Sequence, residues 1–492
     1  MGVRVPPFAP LPALFACFCL LCTAILAIRL QSTVVDGAWA QTSGLEGVHI
    51  NLVYRVASGI SPYHDLSTDA TSAIYNVGFY AVYGALAGVL GMSPSGLLGL
   101  RVVTLLAGAA PAAALVAVAG QEQPHSSRAR RTAIAVVAII TPFTGWWLLT
   151  VRPDMLAVAF ELTGFALIRA SGRWRSPARA LGAGAAFAAA FLMKQNAVGV
   201  LGAILVFLAV RREWKPALLI AALPLACLPA AALVGGPHFV QHTWFAPAST
   251  AFEAASWYRL LGEVAMTGGA AFIGLAAVTP RAALRRIDAV PIWLPVAVVV
   301  VLALPQLARV GAGRNYLIGA VALASVATWS GALGHTLAGP ARRRLLQAAV
   351  VAHVALALLY LLPLGIGTLR LPSSGEAVQR AYAAVAGEPA PPTLADTPWT
   401  WLPWTVGVAT EIPDPSIYPY LQARGLVTAT VDSRLAACRY GTLLLRDPVL
   451  IARAERAGYG LRGTLPDGVS WLVRQRCARL DSSPLSSEPQ FP

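Results

Sequence analysis

The sequence predicts a mostly α protein, a polytopic bundle of transmembrane helices followed by a small α/β domain. Of its 492 residues, 57% are hydrophobic and only 12% are charged, which is too apolar for a water-facing fold. The apolar residues gather in segments about as long as a membrane-spanning helix, which needs roughly 20 residues. Basic clusters separate many of these segments, as the short cytoplasmic loops of membrane proteins do.

About eleven apolar segments are predicted to cross the membrane. They lie near 8–29, 98–119, 131–149, 155–171, 180–193, 196–210, 216–234, 260–279, 289–308, 315–333 and 345–367. A further segment, 73–91, is aromatic and rich in glycine. We place it as a juxtamembrane or re-entrant helix on the outer face, because a full crossing would move every basic cluster outside. The transmembrane domain is therefore predicted to cover 1–367, with its first outer loop at 30–97.

Five basic clusters set the predicted orientation. They are Arg128/Arg130/Arg131, Arg169/Arg173/Arg175/Arg179, Arg211/Arg212/Lys215, Arg281/Arg285/Arg286 and Arg342/Arg343/Arg344. Assigned to the cytoplasm, they put the N-terminus inside and the C-terminal domain outside a cell (inner) membrane protein. Because the net charge of +15 is spread over these loops, we expect no nucleic-acid partner. The N-terminal span is interpreted as a signal anchor, since Ala38-Trp39-Ala40 lies too far beyond it for a cleavage site.

The sequence changes character after residue 367, where proline and charge replace the apolar runs. An extracytoplasmic α/β domain is predicted over 368–480, before a disordered tail at 481–492. Its predicted helices are 375–387, 414–424 and 447–457, and its predicted strands lie near 427–432, 441–445 and 469–474. Cys438 and Cys477 fall in this domain, and a disulfide between them is a hypothesis for an oxidising compartment. The other four cysteines lie in apolar segments.

Three polar motifs open predicted spans at the outer face. They are Arg152-Pro153-Asp154, Lys194-Gln195 and Arg314-Asn315-Tyr316. Three cations at one membrane depth, on three different helices, could converge on a phosphate at the headgroup level. The alternative is that each is an interfacial anchor whose charged end snorkels to water.

The first outer loop carries the candidate acids. Glu46 opens the loop, and Arg55, Tyr63 and Asp65 follow it. A partly desolvated carboxylate near the membrane could take a proton from an acceptor hydroxyl, whereas the alternative is a solvated loop acid. In the loop 235–259, His238, His242 and Trp244 could bind substrate, or a divalent metal together with Glu253, although a capping role is favoured. Glu161, inside a span, is expected to make a buried hydrogen bond.

The order of these motifs resembles a known family. The matching elements are Glu46-Gly47, Gly59 through Asp65 as Gly-x-x-Pro-Tyr-x-Asp, the aromatic helix, Arg101, Arg152-Pro153-Asp154, Lys194-Gln195 and Gly311 through Tyr316 as Gly-x-x-x-Asn-Tyr. Together they are similar to the bacterial polyprenyl-phosphate-sugar-dependent glycosyltransferases of the GT-C superfamily. Within it, the chain resembles the branch related to dolichyl-phosphate-mannose protein mannosyltransferases, the glycosyltransferase family 39-like enzymes.

The resemblance implies transfer of a sugar, with inversion, from a polyprenyl-phosphate donor to an envelope glycan, lipid or protein. Arg152, Lys194 and Arg314 would neutralise the departing lipid phosphate. Tyr63 and Tyr316 would pack on the sugar or the prenyl tail. No cofactor is implied, although some members of the superfamily depend on a divalent metal.

The first-loop acid, Glu46 here, would be the general base. Leu45 stands where many relatives have an acid, so Asp36 is a second candidate for the base. Asp65 or Asp69 would hold sugar hydroxyls or offer another proton path.

Two other classes of protein remain open from the sequence. One is a transporter or flippase of lipid-linked precursors, and the other is a non-catalytic envelope assembly protein. An enzyme should bring Glu46, Arg152 and Lys194 around one outward cavity that opens sideways to lipid. A transporter would show an internal path, and a scaffold would show no cavity.

Overall fold

A computed structural model gives the fold of the protein. It describes residues 10–35, 46–66, 71–170, 172–279, 289–310, 312–334, 339–370, 393–395, 410–411, 418–424, 430–465 and 469–475. Up to residue 370 these residues are mostly α-helical. The helices are α1 (Leu11–Val35), α2 (Glu46–Ala57), α3 (Val77–Leu90), α4 (Pro94–Glu122), α5 (Arg128–Ile139), α6 (Asp154–Ile168), α7 (Pro177–Met193), α8 (Gly199–Val210), α9 (Trp214–Gly235), α10 (Ala246–Ser249), α11 (Ala254–Val278), α12 (Trp293–Leu307), α13 (Ile318–Gly334) and α14 (Pro340–Arg370).

Each of the eleven predicted spans overlaps one of these helices. Among the described residues, six helices are long and apolar enough to cross a membrane, namely α1, α4, α9, α11, α14 and α13 together with the turn before it. The others are shorter, from 12 residues in α5 and α8 to 17 in α7. Because a crossing needs roughly 20 residues, the count of about eleven spans stays a prediction.

The aromatic segment predicted as a juxtamembrane or re-entrant helix forms α3, which has 14 residues. A helix of that length rises about 21 Å, less than the roughly 30 Å of a hydrocarbon core. Glycine lets α3 approach its neighbours closely. A Cβ at Gly78 would lie 2.7 Å from the carbonyl oxygen of Leu192 in α7, and one at Gly84 would lie 2.5 Å from a methyl group of Val56 in α2.

In the part of the C-terminal region that the structure describes, five strands form one sheet in the order β2-β1-β3-β5-β4. They are β1 (Thr393–Ala395), β2 (Thr410–Glu411), β3 (Thr442–Leu445), β4 (Tyr459–Leu465) and β5 (Val469–Arg474). β1 pairs in parallel with β2 and β3, whereas β5 is antiparallel to β3 and β4. Helices at Tyr418–Ala423, Val431–Ala436 and Pro448–Arg456 accompany the sheet.

The helices predicted at 414–424 and 447–457 and the strands predicted at 441–445 and 469–474 are confirmed. The strand predicted at 427–432 is wrong where the chain is described. The Thr430 hydroxyl accepts a hydrogen bond from the backbone N–H of Ser433, and this cap starts a helix at Val431. The helix predicted at 375–387 and the tail at 481–492 lie outside the described residues, and the domain limits stay predictions.

An aromatic cluster joins the sheet to the helical bundle. Tyr63, Tyr75 and Phe79 from the region of α2 and α3 pack in one core with Leu444 and Trp471 of the sheet. Leu444 and Trp471 are also cross-strand partners in β3 and β5. One face of the sheet therefore packs on the segment that contains α2 and α3.

The cysteines differ between the two parts of the chain. Cys438 is disulfide-bonded. Its predicted partner, Cys477, lies outside the described residues. The four cysteines of the apolar helices, Cys17, Cys19, Cys22 and Cys227, are free.

Candidate functional site

A cavity of about 830 Å³ brings the three predicted polar motifs together. Arg152, Lys194 and Arg314 all line it. Gln195, Asn315 and Tyr316 line it as well. These residues come from the segments before α6, after α7 and before α13, which are far apart in the sequence. The predicted convergence of three cations is thus present in the fold.

One wall of the same cavity is apolar. Leu201 and Leu205 of α8, with Pro224, Leu225 and Leu228 of α9, form it. Leu225 is 61% exposed and Leu228 is 40% exposed. Since α9 is long and apolar enough to cross a membrane, these exposed side chains face the space that lipid tails fill. The apolar wall of the cavity is therefore partly exposed on the outside of the bundle.

A buried ion pair lies at the polar end of the cavity. Asp154 is the first residue of α6, and its side chain is 1% exposed. Its Oδ1 accepts hydrogen bonds from Lys194 Nζ and Asn315 Nδ2, both at 2.6 Å. Arg152 Nε lies 3.6 Å from its Oδ2. Two cations around one carboxylate leave one net positive charge, which an anion entering the cavity would compensate.

Two tyrosines hold the cations in place. Arg152 donates to the Tyr75 hydroxyl from Nη2 at 2.5 Å and from Nε at 3.1 Å. Lys194 Nζ stands 4.7 Å from the centre of the Tyr316 ring. Burial raises the pKa of Tyr75, although Arg152 acts against that shift, so its phenol is neutral. Tyr75 therefore accepts from Arg152 without cancelling its charge.

A second charged cluster lines the cavity beside the first. Glu263, in the third turn of α11, lies 3.5 Å from Arg314 and 3.3 Å from Arg259. Arg314 also donates from Nε to the carbonyl of Phe143 at 3.2 Å and stacks 5.5 Å from the Trp147 ring. The predicted phosphate ligand Arg314 is thus shared with a carboxylate.

Sequence reasoning missed Glu263, Arg259 and Tyr75 as site residues. Glu263 did carry a signal, since an ionisable residue inside an apolar helix is costly and is a functional candidate by default. No such signal marked Tyr75, because it stands in a segment rich in aromatic residues, which is typical of a hydrophobic core.

Glu46 does not line this cavity. It starts α2, and its carboxylate receives two hydrogen bonds from Arg101, at 3.2 Å from Nε and 2.7 Å from Nη2. The backbone N–H of Val151 donates to the same carboxylate at 3.0 Å. The expected meeting of Glu46, Arg152 and Lys194 around one cavity therefore holds for the two cations and not for Glu46.

Tyr63, Arg55 and Asp65 do not line the cavity either. Tyr63 is in the aromatic core, where its hydroxyl donates to the carbonyl of Tyr75 at 2.8 Å. Arg55 is buried and lies 3.4 Å from His64 Nδ1. Asp65 is half-buried. Asp36 and Asp69 lie outside the described residues.

Gln195 and His242 have structural partners. Gln195 Nε2 donates to the carbonyls of Ile74 at 2.7 Å and Thr243 at 2.9 Å. His242 Nδ1 accepts from the N–H of Ala73 at 2.9 Å, and its Nε2 lies 2.7 Å from the carbonyl oxygen of His64. Both ring nitrogens of His242 are thus engaged, which disfavours the metal alternative for this histidine. Within the described ranges, no three His, Cys, Asp or Glu side chains group closely enough to hold a metal ion.

Comparison with known proteins shows the fold. No protein-family model and no curated protein sequence matches this chain. Among solved structures, apo ArnT from Cupriavidus metallidurans is 13% identical, with a TM-score of 0.56 over 91% of this chain and 97% of that one. This is the GT-C fold. The resemblance predicted from the motif order is therefore confirmed at the level of the fold.

Two further structures match the GT-C fold of this chain. ArnT bound to undecaprenyl phosphate has a TM-score of 0.52 at 13% identity, over 92% of this chain and 97% of that one. The apo oligosaccharyltransferase of Archaeoglobus fulgidus has a TM-score of 0.51 at 10% identity, over 95% of this chain and 75% of that one. With its apolar helices, the chain is a multi-pass membrane protein.

Proposed function

We propose that this protein is an integral membrane glycosyltransferase. It transfers a sugar, with inversion, from a polyprenyl-phosphate-linked donor to a cell-envelope acceptor at the outer face of the cytoplasmic membrane. The observation that carries the proposal is the cavity of about 830 Å³, which joins a cationic end to an apolar wall. A phosphate attached to a long hydrocarbon tail has the same two-part chemistry.

Arg152 and Lys194 bind the phosphate of the donor. As the bond between the sugar and the phosphate breaks, negative charge grows on the departing phosphate oxygen. Cations already fixed in a poorly hydrated site stabilise that charge without reorganising. Asp154 and Asn315 act as positioning residues, because their contacts at 2.6 Å fix Lys194 and the turn before α13.

Glu46 is also a positioning residue in this proposal. Its carboxylate is buried against Arg101 and accepts the N–H of Val151, the residue before Arg152. It therefore fixes the turn that carries the phosphate-binding guanidinium. A general base must instead reach the acceptor in the cavity.

The prenyl tail lies along the wall made by α8 and α9. The exposed Leu225 and Leu228 of that wall offer apolar contacts that continue into lipid. The fold of this chain is also that of ArnT, which has been solved with undecaprenyl phosphate. That likeness supports a polyprenyl phosphate as the lipid.

The disulfide supports an outer-face reaction. Disulfides persist in oxidising compartments, and Cys438 is disulfide-bonded. Strands β3 and β5, which follow Cys438, pack on the aromatic cluster that includes Tyr75, and Tyr75 lines the cavity. This supports placing the C-terminal sheet and the polar end of the cavity on the same side of the bundle.

The test begins with binding of undecaprenyl phosphate to the purified protein in nanodiscs. We expect wild type to bind it and Arg152→Gln and Lys194→Gln to bind at least tenfold more weakly. Lys215→Gln is the matched control, because Lys215 is exposed and does not line the cavity. Transfer of labelled sugar from a panel of polyprenyl-phosphate hexoses and pentoses to envelope acceptors then identifies the donor. Movement of labelled lipid across the bilayer without transfer would instead indicate a flippase.

A further inference from the structure

Among the described residues that line the cavity, Glu263 is the one acid. Glu46 and Asp154 are engaged by other cations. The Glu46 side chain is 3% exposed and lies 2.7 Å from Arg101, and the Asp154 side chain is 1% exposed and lies 2.6 Å from Lys194. The Glu263 side chain is 37% exposed, and its contacts with arginines are longer, at 3.3 Å and 3.5 Å. Its carboxylate can therefore accept a further hydrogen bond from a molecule in the cavity.

Placing the carboxylate of Glu263 in an apolar helix costs free energy, which a purely structural role does not explain. It stands inside α11, one of the helices long and apolar enough to cross a membrane. Ionisable residues in such helices mark functional sites by default. Pairing with Arg259 one turn earlier does not explain it, because that guanidinium is 61% exposed and such pairs stabilise little.

Two side-chain contacts connect Glu263 with the phosphate-binding end of the cavity. It lies 3.5 Å from Arg314, and the next residue, Asn315, donates to Asp154 at 2.6 Å. Two consecutive residues thus connect the cavity carboxylate with the cluster that holds Lys194. An acceptor hydroxyl between the two ends would reach Glu263 on one side and the donor sugar on the other.

We infer that Glu263 takes the proton from the acceptor hydroxyl in the transfer reaction, an inference that rests on the proposed function. The hydroxyl oxygen forms a bond to the anomeric carbon of the sugar. The bond from that carbon to the phosphate oxygen breaks, and its electron pair stays on the phosphate beside Arg152 and Lys194. The hydroxyl proton moves to the Glu263 carboxylate, which Arg259 and Arg314 orient from two sides. Charges and atoms balance without a further reactant.

The test compares Glu263→Gln with wild type in nanodiscs. Glutamine keeps the size of the side chain and removes the proton acceptor. We expect the kcat of sugar transfer to fall by about 100-fold or more, the usual range for losing a general base. The KM for the polyprenyl-phosphate sugar and the binding of undecaprenyl phosphate should stay within about twofold. Glu263→Asp should retain an intermediate kcat. The control is Glu253→Gln, since Glu253 is exposed at the start of the same helix and does not line the cavity.

Two results would overturn the assignment while leaving the proposed function intact. One is transfer by Glu263→Gln within a few-fold of wild type, especially with loss of transfer in Asp69→Asn or Asp65→Asn, which would return the base to the first loop. The other is equal loss of undecaprenyl phosphate binding and transfer, which would make Glu263 part of the phosphate site. A wild-type protein that neither binds undecaprenyl phosphate nor transfers sugar would refute the proposed function itself.

Discussion

Glu46→Gln distinguishes a buried structural ion pair from a general base. In wild type, the carboxylate accepts two hydrogen bonds from Arg101 and one from the N–H of Val151, and both charged side chains are 3% exposed. Breaking a buried pair by removing one charge typically costs about 3–5 kcal/mol. We expect about 3 kcal/mol, because the amide oxygen of glutamine keeps one acceptor for these donors.

The assay measures thermal unfolding in detergent together with sugar transfer per folded molecule. Glu46→Gln should unfold at a clearly lower temperature, whereas its remaining folded fraction should transfer sugar at a rate within about tenfold of wild type. Replacing both partners, as Glu46→Gln with Arg101→Met, should recover part of the stability, because no buried charge then lacks its partner. Wild-type thermal stability combined with complete loss of transfer would refute this reasoning and identify Glu46 as the base.

Three further predictions address the site and its supports. Tyr75→Phe removes the acceptor of two Arg152 hydrogen bonds, and we expect undecaprenyl phosphate to bind about tenfold more weakly, about 1.4 kcal/mol, by titration in nanodiscs. Gly78→Ala places a Cβ 2.7 Å from a backbone oxygen of α7 and should cost about 1–3 kcal/mol in thermal unfolding, whereas Gly88→Ala, with open space around it, should not. Burial lowers the pKa of His49 well below 6.5, so below that pH the unfolded chain gains a proton that the folded protein does not. Stability is then lost at about 1.4 kcal/mol per pH unit, and the fall in Tm from pH 7 to 5 should be smaller in His49→Phe.

The helical bundle could be predicted from the sequence because the length of an apolar segment is a strong signal that depends only on neighbouring residues. In lipid, a helix is one of the few structures that satisfy every backbone hydrogen bond. Each predicted span therefore corresponds to a helix, even where the predicted and observed limits differ. The strand expected at 427–432 failed for a local reason. In a sequence, a threonine that caps a helix cannot be distinguished from a threonine in a strand. The difference lies in the hydrogen bond that the Thr430 hydroxyl accepts from a backbone N–H.

The site was predictable in part for a similar reason. Arg152, Lys194 and Arg314 each interrupt an apolar stretch at one predicted face, and an uncompensated charge there must find a partner. Which partner it finds is a long-range property. Glu46 and Arg101 are separated by 55 positions, and nothing near either residue shows that they pair. Whether an acid faces a cavity or a guanidinium is decided by packing.

The charge balance around Asp154 has a consequence for turnover. The proposed donor, a polyprenyl-phosphate sugar, is a phosphodiester with one negative charge, which matches the single net positive charge of Arg152, Lys194 and Asp154. The product that stays behind is a phosphate monoester, whose charge at neutral pH is about −1.5 to −2. Two buried cations attract that product more strongly than they attract the donor. The spent carrier lipid should therefore leave slowly and act as a product inhibitor, so that release rather than sugar transfer limits the steady-state rate.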